Sequence, residues 1–375
     1  MFLKLGLIGF GGPAAHIAMM DNEVVRRRRW LSRKDFLDLL GATNLIPGPN
    51  STEMAIHVGY RQAGWPGLLV AGVCFILPAA IIVTAFAWTY VQYGSLPEAL
   101  GVLYGVKPVI IAIVLQALWG LGRTALKTSF LWAVAGAATL LAFLGVNELL
   151  LLLGGGLVVL AEKWAESCRS RSGPALLSVL GGWTLDLVAK GTTAVSAGFS
   201  LWPLFWFFLK VGSVLYGSGY VLLVFLRADL VEQWGWLTET QLLDAVAVGQ
   251  VTPGPVFTTA TFIGYVLGGP AGAAVATIGI FLPAFVFVAL SGPLVPRIRR
   301  SPLAGAFLDG VNAASLALMF FVTCQLTRAA LVDIPTLVLT VAATLVVFRF
   351  AINSAWLVLA GGLLGLLGIR LQLLT

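Results

Sequence analysis

NLIPGPNST, residues 44–52, interrupts an apolar chain with a Pro-Gly-Pro triplet set among polar side chains, and QVTPGPVFT, residues 250–258, does so again. Proline has no amide proton and restricts the residue before it, so such a triplet ends one helix and lets another begin just beyond. Asn50, Ser51 and Thr52 follow the first break, and Thr258 and Thr259 the second. These residue types cap free backbone amides at a helix N-terminus. A helix end of this kind carries roughly half a positive charge and unpaired N–H groups, which suits an anion. Plain proline kinks would need Pro47, Gly48, Pro49, Pro253, Gly254 and Pro255, but not the flanking Asn44, Asn50, Ser51, Gln250 and Thr252.

The surroundings set the scale. Of 375 residues, 59% are hydrophobic and 10% charged, and the mean hydropathy is +0.96. That is more apolar side chain than a soluble core of this length can bury, so the composition predicts an all-α polytopic membrane protein. Runs such as 66–90 and 353–374 are long enough to cross about 30 Å of hydrocarbon as helices. The alternation of a membrane β-barrel is absent. Residues 1–20 lack a small-residue cleavage site and read as part of the mature fold. Cys74, Cys168 and Cys324 are scattered, and His16 and His57 are the only histidines, so neither a metal site nor a cofactor is expected. The net charge of +7 fits cytoplasmic loops better than nucleic-acid binding.

The chain repeats itself. FLKLGLIGFGG from Phe2 aligns with FLKVGSVLYGS from Phe208 at an offset of 206. Trp30-Leu31 then matches Trp236-Leu237, Asp38 matches Asp244, and the two Pro-Gly-Pro triplets match. After a one-residue gap the offset is 205, and Leu77-Pro78-Ala79 matches Leu282-Pro283-Ala284. Two repeats, 1–161 and 201–375, are expected, joined by a polar linker over 162–200 that holds an interfacial helix or a further span at 175–189 around Asp186. The loop 21–34 has a net charge of +4 and its counterpart 227–240 of −2. Cytoplasmic loops are enriched in Lys and Arg, so the two loops should face opposite sides and the repeats should be inverted. If each Pro-Gly-Pro segment is a re-entrant hairpin, Arg297, Arg299 and Arg300 also lie inside. About five crossings per repeat result, the first of each pair at 2–20 and 202–226. If both segments span and 175–189 crosses, thirteen crossings result and the loop arginines are misplaced.

Phe10-Gly11-Gly12-Pro13, paired with Tyr216-Gly217-Ser218-Gly219, reads either as backbone brought close to a ligand or as close helix packing through small residues. Lys210 lies in the apolar run LFWFFLKVG and Lys4 is its repeat mate. An intramembrane lysine is a functional candidate, so the two could offset the charge of an anion, with Lys107 a third. Glu53 sits just after the first break and Asp309 in a span; either could take up a proton, because burial favours the uncharged form of a carboxyl group. Glu53 also suits a helix N-terminus as a purely local device. His57 could relay a proton or serve a structural hydrogen bond. Arg26, Arg27, Arg28 and Arg29 read as a cytoplasmic anchor or as an attracting vestibule.

GFGGPAAHIAMM, WLSRKDFLDLLGATNLIPGPNSTEMAIHVGYRQAGWPG and FILPA, recurring as VGQVTPGP and IFLPA, resemble the chromate ion transporter family over essentially the whole chain. The resemblance implies a carrier in the bacterial or archaeal plasma membrane that exports chromate, a tetrahedral dianion like sulfate, using the proton motive force. It maps family motifs onto Phe10, Gly11, Gly12, Pro13, His16, Asn44, Pro47, Gly48, Pro49 and Asn50, and onto Pro253, Gly254 and Pro255. The second copy departs from the first, with Val256 in place of Asn50, so a strictly symmetric site is not expected. The expected partners are chromate or a sulfate-like oxyanion, protons and the lipid bilayer, with a homodimer compatible. A sulfate carrier and a passive anion channel remain as alternatives. An intramembrane enzyme lacks any HExxH, GxSxG or dinucleotide fingerprint.

Overall fold

The computed structural model describes every residue except 10–11, 44–45, 95, 170–198, 216–220, 299–301, 351–353 and 371–375. Its elements are helical: α1 (Phe2–Ile8), α2 (Gly12–Asp21), α3 (Arg33–Thr43), α4 (Asn50–Tyr93), α5 (Pro97–Ala125), α6 (Ser129–Phe143) and α7 (Glu148–Arg169) fill the first half. The second half holds α8 (Leu201–Val214), α9 (Leu222–Phe225), α10 (Glu239–Val251), α11 (Thr259–Ile298), α12 (Pro302–Ala330), α13 (Ile334–Phe350) and α14 (Ser354–Arg370). Among the described residues, four stretches, Asn50–Tyr93, Pro97–Ala125, Val256–Ser291 and Pro302–Ala330, are long and apolar enough to cross a membrane. Exposed side chains include Leu140, Leu144, Trp132, Trp202, Ile334 and Trp356. Apolar surface on this scale belongs against lipid, and the protein is a multi-pass membrane protein.

Two expected crossings are not single helices. The first stops at Ile8 and resumes at Gly12, and the second stops at Val214 and resumes at Leu222. Gly12 has φ +74°, a conformation that disfavours any residue with a Cβ. Each resumed helix then widens into a π-helical segment, Asn22–Arg27 and Leu226–Gln233. The crossing expected at 147–161 is longer: α7 runs on to Arg169. The segment 175–189 lies outside the described residues.

The long helices α4 and α11 each fold back on themselves. Ala63 (φ −144°, ψ 23°) and Gly64 (φ 60°, ψ −141°) make the bend in α4. Gly268 (φ −139°, ψ 22°) and Gly269 (φ 59°, ψ −153°), 205 residues on, make the same bend in α11. The positive-φ member is glycine both times, because its backbone region is essentially closed to other residues. The arms on either side touch: a Cβ on Gly59 would stand 2.3 Å from the Gly67 carbonyl oxygen, and one on Gly264 would stand 2.3 Å from that of Gly272. Thr261 and Thr277 exchange a 2.7 Å hydrogen bond across the second bend. A straight helix would hold residues sixteen apart about 24 Å from each other. The short arms 50–62 and 259–267 therefore return alongside the long arms, and the bends fall at 63–64 and 268–269 rather than at the Pro-Gly-Pro triplets.

Packing between the halves is reciprocal. α13 and α14 lie on α5, while α6 and α7 lie on α12. The helices approach through glycine: Gly105 and Gly101 face Gly361 and Gly365, and Gly310 faces Gly155 and Gly156. At these contacts a Cβ would stand 2.0 to 2.9 Å from opposing backbone, so only glycine permits the approach. α5 itself is apolar on nearly all sides, with Val109 to Val114 wholly buried, as suits a helix at the centre of a bundle.

Candidate functional site

The two Pro-Gly-Pro breaks meet the opposite half of the chain through matched bonds. The Gly48 N–H donates to the Leu215 carbonyl and the Gly254 N–H to the Gly9 carbonyl, each at 2.8 Å. Leu215 and Gly9 end α8 and α1, where the glycine motifs begin. The motifs picked out separately in the sequence are thus joined across the halves. A Cβ on Gly254 would stand 2.7 Å from Ala79 and one on Gly48 would stand 3.9 Å from Ala284, so each break rests on the Leu-Pro-Ala segment of the other half. His16 Nε2 also reaches the Gly9 oxygen at 2.8 Å, and its ring packs edge-on against Phe75 at 5.3 Å.

The first break is the more polar one. Ser51, Thr52, Glu53 and His57 are buried on the short arm of α4. Thr52 Oγ1 and both carboxyl oxygens of Glu53 are enclosed and have no hydrogen-bond partner among the described residues. The Glu53 carboxyl lies against the triplet itself: a Cβ on Gly48, whose φ is +137°, would stand 2.3 Å from Oε1. His57, one turn on, faces Ser291 Oγ at 3.4 Å, a long contact between the halves. The amides of Thr52 and Glu53 bond the Pro49 carbonyl at 2.8 and 3.0 Å.

The second break is closed locally. It opens with a 3₁₀ turn, Val256–Thr258, before α11 begins at Thr259. The hydroxyls of Thr252, Thr258 and Thr259 donate to the carbonyls of Val248, Pro255 and Val256 at 2.7 to 2.9 Å. They retain acceptor lone pairs but have committed their protons, which is the wrong polarity for an anion. Gln250 is buried close by, and Asn50 lines the first break half-exposed. Gly11 and Asn44 lie outside the described residues.

The expected lysines are not part of this cluster. Lys4 is exposed. Lys210 is neither unpaired nor enclosed: it forms an ion pair with Asp229, lies over the Phe207 ring at 5.5 Å, and remains 41% exposed. Its local carboxylate already balances it. Asp309 is likewise a surface group, 3.8 Å from Lys127. One buried charge pair went unrecognised in the sequence: Asp244 on α10 accepts from Tyr90 Oη at 2.9 Å and lies 3.5 Å from Lys107 Nζ. Lys107 and Asp244 are opposite charges in apolar helices, a signal that pairing them would have revealed.

A cavity of about 440 Å³ lies elsewhere, between α6, α7, α12 and the second π-helical segment. Arg227, Glu232, Glu148 and Arg328 line it. At the equivalent loop of the first half, Arg27 and Arg28 hold the Glu23 carboxyl below the usual carboxylate range through hydrogen bonds.

A multi-pass helical protein whose helix breaks are bonded across its two halves has the form of a membrane transporter. The sequence profile of the chromate transporter family matches residues 1–160 and again 202–366. The chain belongs to that family. It is 34% identical to the chromate transport protein of Pseudomonas aeruginosa, over 97% of this chain and 90% of the relative. It is 33% identical to the chromate transport protein of Cupriavidus metallidurans, with the same coverage. The uncharacterised transporter YwrA of Bacillus subtilis is 35% identical over 34% of this chain but 71% of its own length. No solved structure matches the fold.

Proposed function

We propose that this protein exports chromate, or a tetrahedral oxyanion of the same shape such as sulfate, across a bacterial or archaeal plasma membrane. The proton motive force drives it, and chromate resistance follows. The names of the relatives from P. aeruginosa and C. metallidurans support chromate as cargo. The observation that carries the binding site is the first break, where the Thr52 hydroxyl and the Glu53 carboxyl are buried without hydrogen-bond partners among the described residues, beside a helix N-terminus. Asn50, Ser51 and Thr52 are proposed to meet the anion, with Gln250 completing the site from the other half. Thr252, whose hydroxyl is committed to Val248, shapes the second break with Thr258 and Thr259.

Two inverted repeats, divided by the linker near 162–200, give this site its alternating access. Two observations support the inversion. Gly101 faces Gly365 and Gly105 faces Gly361, so α5 and α14 run antiparallel. α12 and α14 run the same way if α12, α13 and α14 alternate in direction, and α5 is then opposite to its own repeat mate. The loop charges agree, with 21–34 cytoplasmic and 227–240 external.

Chromate flux into proteoliposomes containing the full chain tests the reading, with sulfate as competitor. Saturable flux that Thr52→Val lowers at least tenfold is the expected result. Flux unchanged by Thr52→Val and Ser51→Ala would overturn the site, and large single-channel currents would replace the carrier by a pore. Sulfate competing as well as unlabelled chromate would identify the wider oxyanion class.

A further inference from the structure

We propose that the Glu53 carboxylate is a tethered stand-in for the oxyanion, occupying the first break until a proton neutralises it, so that the oxyanion binds together with one proton. The inference rests on the binding site proposed above. Glu53 is completely buried. Its two oxygens are enclosed, lack hydrogen bonds among the described residues, and press on Gly48 at the head of the short arm of α4. A carboxylate and a tetrahedral oxyanion present the same chemistry, negative oxygens that need donors. A helix N-terminus that would attract one attracts the other. Both in one enclosed space repel strongly, because little water screens them.

Among the described residues, no cation forms an ion pair with Glu53. On the same arm, His57 faces Ser291 of α11, Tyr60 is half-buried, and Arg61 is exposed. The elements packed against α4 carry Lys4 on α1, His16 and Asp21 on α2, Arg33, Lys34, Asp35 and Asp38 on α3, Glu239 and Asp244 on α10, and Tyr265 on α11; Lys34 is exposed, Asp35 bonds Ser32 and Glu239 pairs with Arg227. Lys4 is exposed, His16 bonds Gly9, Asp21 pairs with Arg33, and Asp244 lies between Tyr90 and Lys107. Asp38 sits on α3, half-buried. None of them is in a hydrogen bond or ion pair with Glu53 among the described residues. Relief of the repulsion therefore falls to a proton on Glu53. In the second repeat the equivalent residue is Thr259, so the device exists in one copy only.

The step is a binding equilibrium: the Glu53 carboxylate takes one proton from water, becomes a neutral acid, and the oxyanion enters. Binding of chromate to the purified full chain, measured from about pH 7.5 to 9 where chromate stays a dianion, tests it. Affinity in the unaltered protein should weaken toward tenfold per pH unit, the limit for one proton taken up. Glu53→Gln, and Glu53→Thr, which copies the other repeat, should bind without this dependence and at least tenfold more tightly at the upper pH. A pH dependence unchanged in both variants would overturn the role of Glu53 and leave the site standing. Chromate binding to none of the three proteins, with all three folded, would overturn the site as well.

Discussion

At the scale of single residues, the two halves solve the same backbone problem with different side chains. Trp30 N–H bonds Val24 and Trp236 N–H bonds Leu230; Arg28 N–H bonds Glu23 and Trp234 N–H bonds Asp229. The chain exits each π-helical segment through a residue in the left-handed region, Gly235 at φ 63° but Arg29 at φ 54°. An L residue there carries a strain of about 1 kcal/mol that glycine avoids. Arg29→Gly should therefore raise unfolding stability by about 0.5–1 kcal/mol, and Gly235→Ala should lower it by a similar amount. Thermal unfolding in detergent measures both, and a loss of stability in Arg29→Gly would mean that the arginine side chain holds the loop. The sequence showed Arg29 only as one of four consecutive cationic residues, because a backbone angle leaves no mark in composition. The triplets were different: Pro-Gly-Pro announces its geometry through the missing amide protons, and Gly48 and Gly254 have positive φ as such a break requires.

At the scale of elements, one clamp is built twice with its charges exchanged. In the first half Asp21 holds Arg33 at 2.5 Å and Arg26 at 3.8 Å. In the second half Arg227 occupies the place of Asp21, and holds Glu239 at 2.7 Å, in the place of Arg33, and Glu232, in the place of Arg26. Each hub ties the π-helical segment to the start of the hairpin helix, α3 or α10. Reversing all three signs keeps the clamp while giving one loop surplus cation and the other surplus anion. The side chain of Arg227 is 9% exposed and that of Glu232 50%, so removing the hub costs less than breaking a fully buried pair. Arg227→Ala should destabilise by about 2 kcal/mol. Changing Arg227→Asp, Glu232→Arg and Glu239→Arg together should return most of that, because it copies the first hub. Chemical unfolding monitored by tryptophan fluorescence reads both variants, and a triple variant no better than Arg227→Ala would disprove the clamp. The alignment gave the loop charges their sign, but the pairs were illegible in it, since partners five and twelve residues apart meet only once the π-helical segment turns the chain.

At the scale of the whole molecule, the halves exchange helices, and neither buries its own core alone. α5 is covered by α13 and α14, and α12 by α6 and α7. Co-expressed fragments ending at 169 and beginning at 199 should therefore assemble and transport, whereas each alone should not; activity of one fragment alone would contradict the exchange. The assembled molecule also fixes how charge moves. A dianion leaving a cell held at about 100 mV, inside negative, gains about 4.6 kcal/mol from the field, since each charge contributes about 2.3. If a proton on Glu53 travels with it, one net charge moves and half that gain remains. In proteoliposomes the reversal potential should then shift by about 59 mV per tenfold chromate gradient in the unaltered protein and about 30 mV in Glu53→Gln, the values for one and two charges. Equal slopes in the two proteins would mean that the proton stays behind when the oxyanion crosses, and Glu53 would then set access to the break without setting the energetics of export.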